Sequence, residues 1–257
     1  MADEILGRVG FWRRVGAVLI DALCIAFPCS LLGGLLFAVS GGVLQMTSPG
    51  LQARACQDLT SYPQGLSPAP PTDSNYAVLC DSYFLAGRTG SVLIVGARNV
   101  DAVITTDRWA SYLLTADGRT GAVDVSWITP LAFVIYLLLV QNRFRQTLGQ
   151  RVMRSRLMLA DNAEATRIPF RRLALRYAIL LAGYVPALIL SGVATIAFVA
   201  GAATPLIFFA GVSAAWLLGA AWWLWNTVLI VRKKDPVYDR FARIAAVRTG
   251  KPVADQP

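Results

Sequence analysis

Three long apolar tracts and one shorter one are nearly free of charge, and tracts of that kind are the signature of membrane spans. Val15 to Val39 (VGAVLIDALCIAFPCSLLGGLLFAV) is the first. Its 25 residues cover about 37 Å, enough for a ~30 Å hydrocarbon core with some tilt. Pro28 is a place for a kink, and Gly33, Gly34, Gly41 and Gly42 allow close approach of a neighbour. Trp127 to Asn142 is the short tract, only about 24 Å long as a helix. Leu173 to Val199 and Pro205 to Val231 follow, joined by the uncharged turn Ala200 to Thr204. Trp222, Trp223 and Trp225 sit near the end of the last tract and Trp12 before the first, where an interfacial aromatic belt belongs.

Two segments between the tracts read differently. Pro49 to Ser126 opens irregularly (SPAPPTDSN from Ser67) and turns β-like at Ser91 to Gly96 (SVLIVG). In Ser111 to Val125, Asp117-Gly118 between two partly alternating arms is a hairpin signal. Thr147 to Arg156 (TLGQRVMRSR) predicts a basic amphipathic turn of helix at an anionic leaflet. Ile244 to Val247 is expected to pair as a strand with Ser155 to Leu159, and Asp235-Pro236 to start a short helix.

The expected architecture is therefore all-α transmembrane: a four-span helical bundle with a small β-rich extracytoplasmic insert. Its parts are a cytoplasmic N-terminus (1–14), a first helix (15–48), the insert (49–126) and a second helix (127–142). A basic connection (143–172), a third helix (173–199), a fourth (205–231) and a cytoplasmic tail (232–257) complete it. Two arginines before an apolar run also fit a signal peptide, but the run outlasts an h-region and more tracts follow, so cleavage is not expected.

Charge gives the orientation. The 257 residues carry a formal +9 at pH 7 and are 15% charged, against about 25% in a soluble domain. Of 24 basic residues, 19 lie in three blocks flanking the tracts, whereas 49–126 has five bases against seven acids. Bases beside short connections mark the cytoplasmic side, so both termini are expected there. That distribution argues for an anionic leaflet as partner and against nucleic acid.

Histidine is absent, and with it the commonest metal ligand and general base. No CxxC pair, Gly-rich phosphate loop or nucleophile triad appears. Metal, cofactor and enzymatic activity are accordingly not expected. Cys56 and Cys80, 24 positions apart in the insert, are a candidate disulfide, the alternative being two free thiols.

Asp21 is the one acid inside any tract. Burying it costs about 2.5–3.5 kcal/mol on insertion scales, so it should face the bundle interior and have a partner. Arg14, seven residues earlier, is about 10 Å away on nearly the same face, but helical side chains lean toward the N-terminus and carry it away. Arg176, about a turn inside Arg172, is the expected ion-pair partner. Such a pair either fixes helix registry or lets Asp21 exchange protons or bind a cation.

FWRRVGAVLID, QTLGQRVMRSRLMLADN, FRRLALRY and DPVYDRFARIAAVRT, in that order, resemble the RDD family of bacterial membrane proteins. That family is named for an arginine opening the first helix and two aspartates. Arg14 and Asp21 match the first two, and Asp239 the second aspartate, though Tyr238 stands where histidine is usual. Gly149 and Arg151 match the family's connection, with Gln150 in place of lysine. The resemblance implies transport of unidentified ligands, with sodium/proton exchange linked to some members. Asp239 also has a plain reading as a first-turn acid favoured by the helix dipole. The expectation is small-ion or solute transport by cation/proton exchange at Asp21, in a homo-oligomer. The alternative is a non-catalytic accessory or assembly subunit of a membrane complex, recognised through the insert.

Overall fold

Helices and strands share this chain, and the strands are not confined to the insert. The computed structural model describes residues 7–48, 50–100, 105–162, 165–199 and 205–249. In chain order the first elements are α1 (Phe11–Val39), β1 (Leu44–Gln45), β2 (Ala53–Asp58), β3 (Tyr76–Phe84) and β4 (Gly87–Val100). Next come β5 (Thr105–Leu113), β6 (Val123–Asp124), α2 (Ile128–Phe144), α3 (Leu148–Val152) and β7 (Ser155–Leu159). The last are α4 (Phe170–Ala182), α5 (Val185–Val199), α6 (Pro205–Val231), α7 (Val237–Ala242) and β8 (Ile244–Arg248).

The expected all-α, four-span bundle is corrected. Among the described residues there are seven helices and three sheets, and two helices, α1 and α6, are long and apolar enough to cross a membrane. The third expected span is broken: α4 and α5 meet at a 50° bend and count as one further span only if taken together. Pro186 supplies the cause, because it has no N–H to donate back along the helix and its ring clashes with the carbonyl four residues earlier. The second, α2, has 17 residues, about 25 Å. The first helix ends at Val39 rather than running on to residue 48, and Pro28 does not break it. The turn at 200–204 lies outside the described residues.

By its contacts the chain forms two compact units, Met1–Asp21 with Ile135–Pro257, and Ala22–Val134. The first, the helical unit, is built around the expected β7–β8 pair, antiparallel with Leu157 opposite Ala246. Both faces of that ribbon are buried. Leu157, Leu159, Ile244 and Ala246 pack with Val9, Ile168, Leu173 and Ala242, while Met158, Ala245 and Val247 pack on the other side. Arg8 bridges to Val247 and the Val9 N–H donates to the Ala246 carbonyl, so the two ends of the described chain lie side by side.

The second, the sheet unit, holds an antiparallel meander in the order β2-β3-β4-β5. Cys56 and Cys80 face each other in register and are joined by a disulfide. Leu66, Ala77, Leu93, Val95, Tyr112 and Leu114 form its core. The expected hairpin about Asp117-Gly118 shrinks to a single bridge, Leu114 to Thr120. Val123 and Asp124 pair instead in parallel with Leu44 and Gln45. Gln45 explains the exchange, since its buried side chain donates to the Leu114 carbonyl and accepts from the Ser91 N–H.

Candidate functional site

Among the described residues of the helical unit, two carboxylates are buried, and they are held by opposite chemistry. Asp21, on α1, is 2% exposed. Its Oδ1 accepts from the Gly149 N–H at 2.7 Å and the Tyr136 hydroxyl at 2.8 Å, and its Oδ2 accepts from the Thr147 hydroxyl. All three donors are neutral.

Those donors converge because α3 begins there. Thr147 caps α3, its Oγ1 accepting from the Gln150 N–H at 3.2 Å while Gln150 Oε1 accepts from the Thr147 N–H at 3.0 Å. The Tyr136 hydroxyl takes the Leu148 N–H at 3.0 Å. The first three amides of α3 are thus met by a phenol, a carboxylate and a threonine, groups that a helix start otherwise leaves to water. Gly149 is required at the contact. A Cβ there would strike the Ala17 carbonyl and come within 2.9 Å of the Asp21 carboxyl carbon.

Asp239, in the first turn of α7, is 0% exposed. Arg14 Nη1 donates to its Oδ2 at 2.8 Å and Arg176 Nε to its Oδ1 at 2.6 Å. The Arg176 guanidinium also lies 5.6 Å from the ring centroids of Tyr177 and Tyr238, within cation–π range. Burial first, and then the Asp239 carboxylate, push the Tyr238 hydroxyl above its ordinary value, so a neutral phenol stands beside the two arginines. Asn226 Oδ1 accepts the Val237 N–H at 3.0 Å and so fixes α7 to the end of α6.

The expected Asp21–Arg176 pair is therefore corrected: Arg176 belongs to Asp239, and so does Arg14. Depth along a helix favours the Asp21 pairing, but depth does not say which face the tail covers. Asp239 is more than a charge on a helix dipole, being the single anion between two guanidinium groups. Asp235 does not cap α7, whose N-cap is Pro236 with no side-chain hydrogen bond. It pairs with Arg8 at 3.0 Å.

Sequence reasoning passed over Tyr136, Thr147 and Asn226. One of them carried a readable signal, since Thr-Leu-Gly-Gln is the S/T-x-x-E/Q pattern of a capping box. Tyr136 and Asn226 are isolated polar groups in apolar tracts, and their partners come from other elements. Among the described residues, no group of three His, Cys, Asp or Glu side chains could hold a metal ion.

Chemically, the Asp239 site is a closed ion cluster, whereas the Asp21 carboxylate, among the described residues, is hydrogen-bonded by neutral donors. The model of the RDD family matches residues 8–208, a stretch holding Arg14, Asp21, Tyr136, Thr147 to Arg151 and Arg176 but ending before Asp239. Comparison with curated proteins and with solved structures gave no match. With two span-length apolar helices and a family match over most of its length, this chain is a membrane protein and belongs to the RDD family.

Proposed function

We propose that the protein moves protons or small cations across the bacterial inner membrane, with Asp21 as the group that takes up the ion. One observation carries this reading. Asp21 is a buried carboxylate on a membrane-crossing helix, and among the described residues no basic side chain hydrogen-bonds or ion-pairs with it. A buried acid in a span is expensive and has a role. Protonating Asp21 strands no cation, whereas protonating Asp239 would leave Arg14 and Arg176 facing each other. Arg14 and Arg176 thus act as a fixed brace, and Asp21 is the variable charge. Its loss on protonation weakens the hold on the first turn of α3, and that difference can bias two arrangements of the connection.

The flanking arginines support a cytoplasmic side for both chain ends, against an anionic leaflet. In this reading the protein works as a homo-oligomer, because two span-length helices and one bent pair leave little room for a pathway in one copy. A second reading, an accessory subunit of a membrane complex, draws support from the disulfide-tied sheet, which is more than a connector needs. Sodium- or potassium-driven proton flux in liposomes separates the two. Flux above protein-free liposomes supports exchange, and none from well-folded protein contradicts it. A stoichiometric partner retained in mild detergent would favour the accessory reading.

A further inference from the structure

The turn between β3 and β4, Phe84-Leu85-Ala86-Gly87, carries no charge. Hairpin turns ordinarily use Asn, Asp or Gly where the backbone turns left-handed. Here Leu85 takes that conformation, with φ of 54°, and its side chain is 75% exposed. Another tight turn of the same unit has the ordinary chemistry: Asp117 and Gly118, both exposed, with Gly118 at φ of 80°.

The uncharged turn lies along α1. The Phe84 ring meets the Phe27 ring edge-on with centroids 5.4 Å apart, and a Cβ at Gly87 would touch the Gly34 Cα at 3.9 Å. The next residue along the chain, Arg88, is hydrogen-bonded to Asp81 and Ser91 with its guanidinium 5.4 Å from the centre of the Phe37 ring.

Helix length converts these contacts into depth. With 29 residues, α1 is about 43 Å long and exceeds a ~30 Å hydrocarbon core by about 13 Å. Phe27 lies about 18 Å before Val39 along the axis. Even if the whole excess projected on the sheet's side, Phe27 would remain about 5 Å inside the core. The group that touches Phe27 is therefore within reach of acyl chains. Lipid also tolerates this backbone, because Phe84 pairs with Gly87 and only Leu85 and Ala86 stand between the strands.

We propose that the β3–β4 hairpin is a membrane anchor that seats Leu85 and Ala86 among the upper acyl chains of the leaflet on the sheet's side. It holds the disulfide-tied sheet down on the bilayer surface. The test uses the full chain in nanodiscs, with Cys24→Ser and Cys29→Ser removing the free thiols. Spin labels are placed at Leu85→Cys, Ala86→Cys and, as a water-exposed reference, Asp117→Cys. Each is probed with oxygen, which partitions into lipid, and with a water-soluble nickel chelate. The oxygen-to-nickel accessibility ratio should be severalfold higher at 85 and 86 than at 117. A ratio equal to that at 117 would overturn the anchor. So would a label immobile and shielded from both reagents, which would mean that protein covers the turn. Ala86→Cys keeps the test open should Leu85→Cys fail to fold, and neither variant touches the Asp21 site.

Discussion

Asp239 and Asp21 are equally hidden from solvent, yet one is held by two full positive charges and the other by three dipoles. The difference lies in what each site does when its carboxylate changes. Removing the Asp239 charge leaves the buried Arg176 and the part-buried Arg14 without their shared anion, so the helical unit depends on that charge. Removing the Asp21 charge leaves two hydroxyls and an amide that neutral acceptors can still satisfy. A buried ion cluster is a fastening, and in the proposed function the carboxylate met by neutral donors is the group that changes state.

The largest expected effect breaks the first site. Asp239→Ala should destabilise the protein by about 3–5 kcal/mol, the cost of orphaning a buried charge partner. Unfolding in detergent would measure it, and Arg14→Ala in that background should cost less than it does alone, by about 0.5–3 kcal/mol of coupling. Additive losses would mean that the clamp is not a unit.

A smaller effect sharpens the second site. In Gly149→Ala the new Cβ meets the Ala17 carbonyl, which is backbone and cannot swing aside, so α3 must shift at about 1–3 kcal/mol. Unfolding midpoints would record that loss, and exchange protection of the backbone amide at position 149 should fall with it. Unchanged protection would show that Asp21 does not hold α3.

The smallest effect uses an exposed carboxylate as a reference. Asp161 accepts two hydrogen bonds from Arg172, both at 2.7 Å. The Arg172 hydrogen bond holds its carboxyl below the ordinary 3.8. A depressed carboxylate adds stability above its unfolded pKa, and that stability is lost as pH falls through the lowered folded value. Asp161→Asn should therefore shift the melting temperature slightly at neutral pH and not at all at strongly acidic pH. Salt should erase most of the difference, as for any exposed pair.

Much of this was legible in the residues. The apolar runs at Ser155–Leu159 and Ile244–Val247 have no other way to hide their edges, and they pair. The last apolar tract coincides with α6, and the one pair of cysteines in the insert forms the bridge. The failures share a cause, which is tertiary choice among local options. Asp117-Gly118 promised a hairpin, but Gln45 and β1 took the strand that would have completed it. Hydropathy averaged over Pro186 and missed the break between α4 and α5. The partners of Asp21 come from a tyrosine and a five-residue helix that only the fold brings to α1.

The central claim is that Asp21 changes state while Asp239 does not, and flux tests it most directly. Sodium- or potassium-driven proton flux would be recorded from liposomes holding the native chain or Asp21→Asn, at matched amounts of folded, monodisperse protein. The account predicts flux from the native chain that disappears in Asp21→Asn while its unfolding midpoint falls far less than that of Asp239→Ala. Undiminished flux through Asp21→Asn, or a stability loss as large as that of the Asp239 variant, would contradict it.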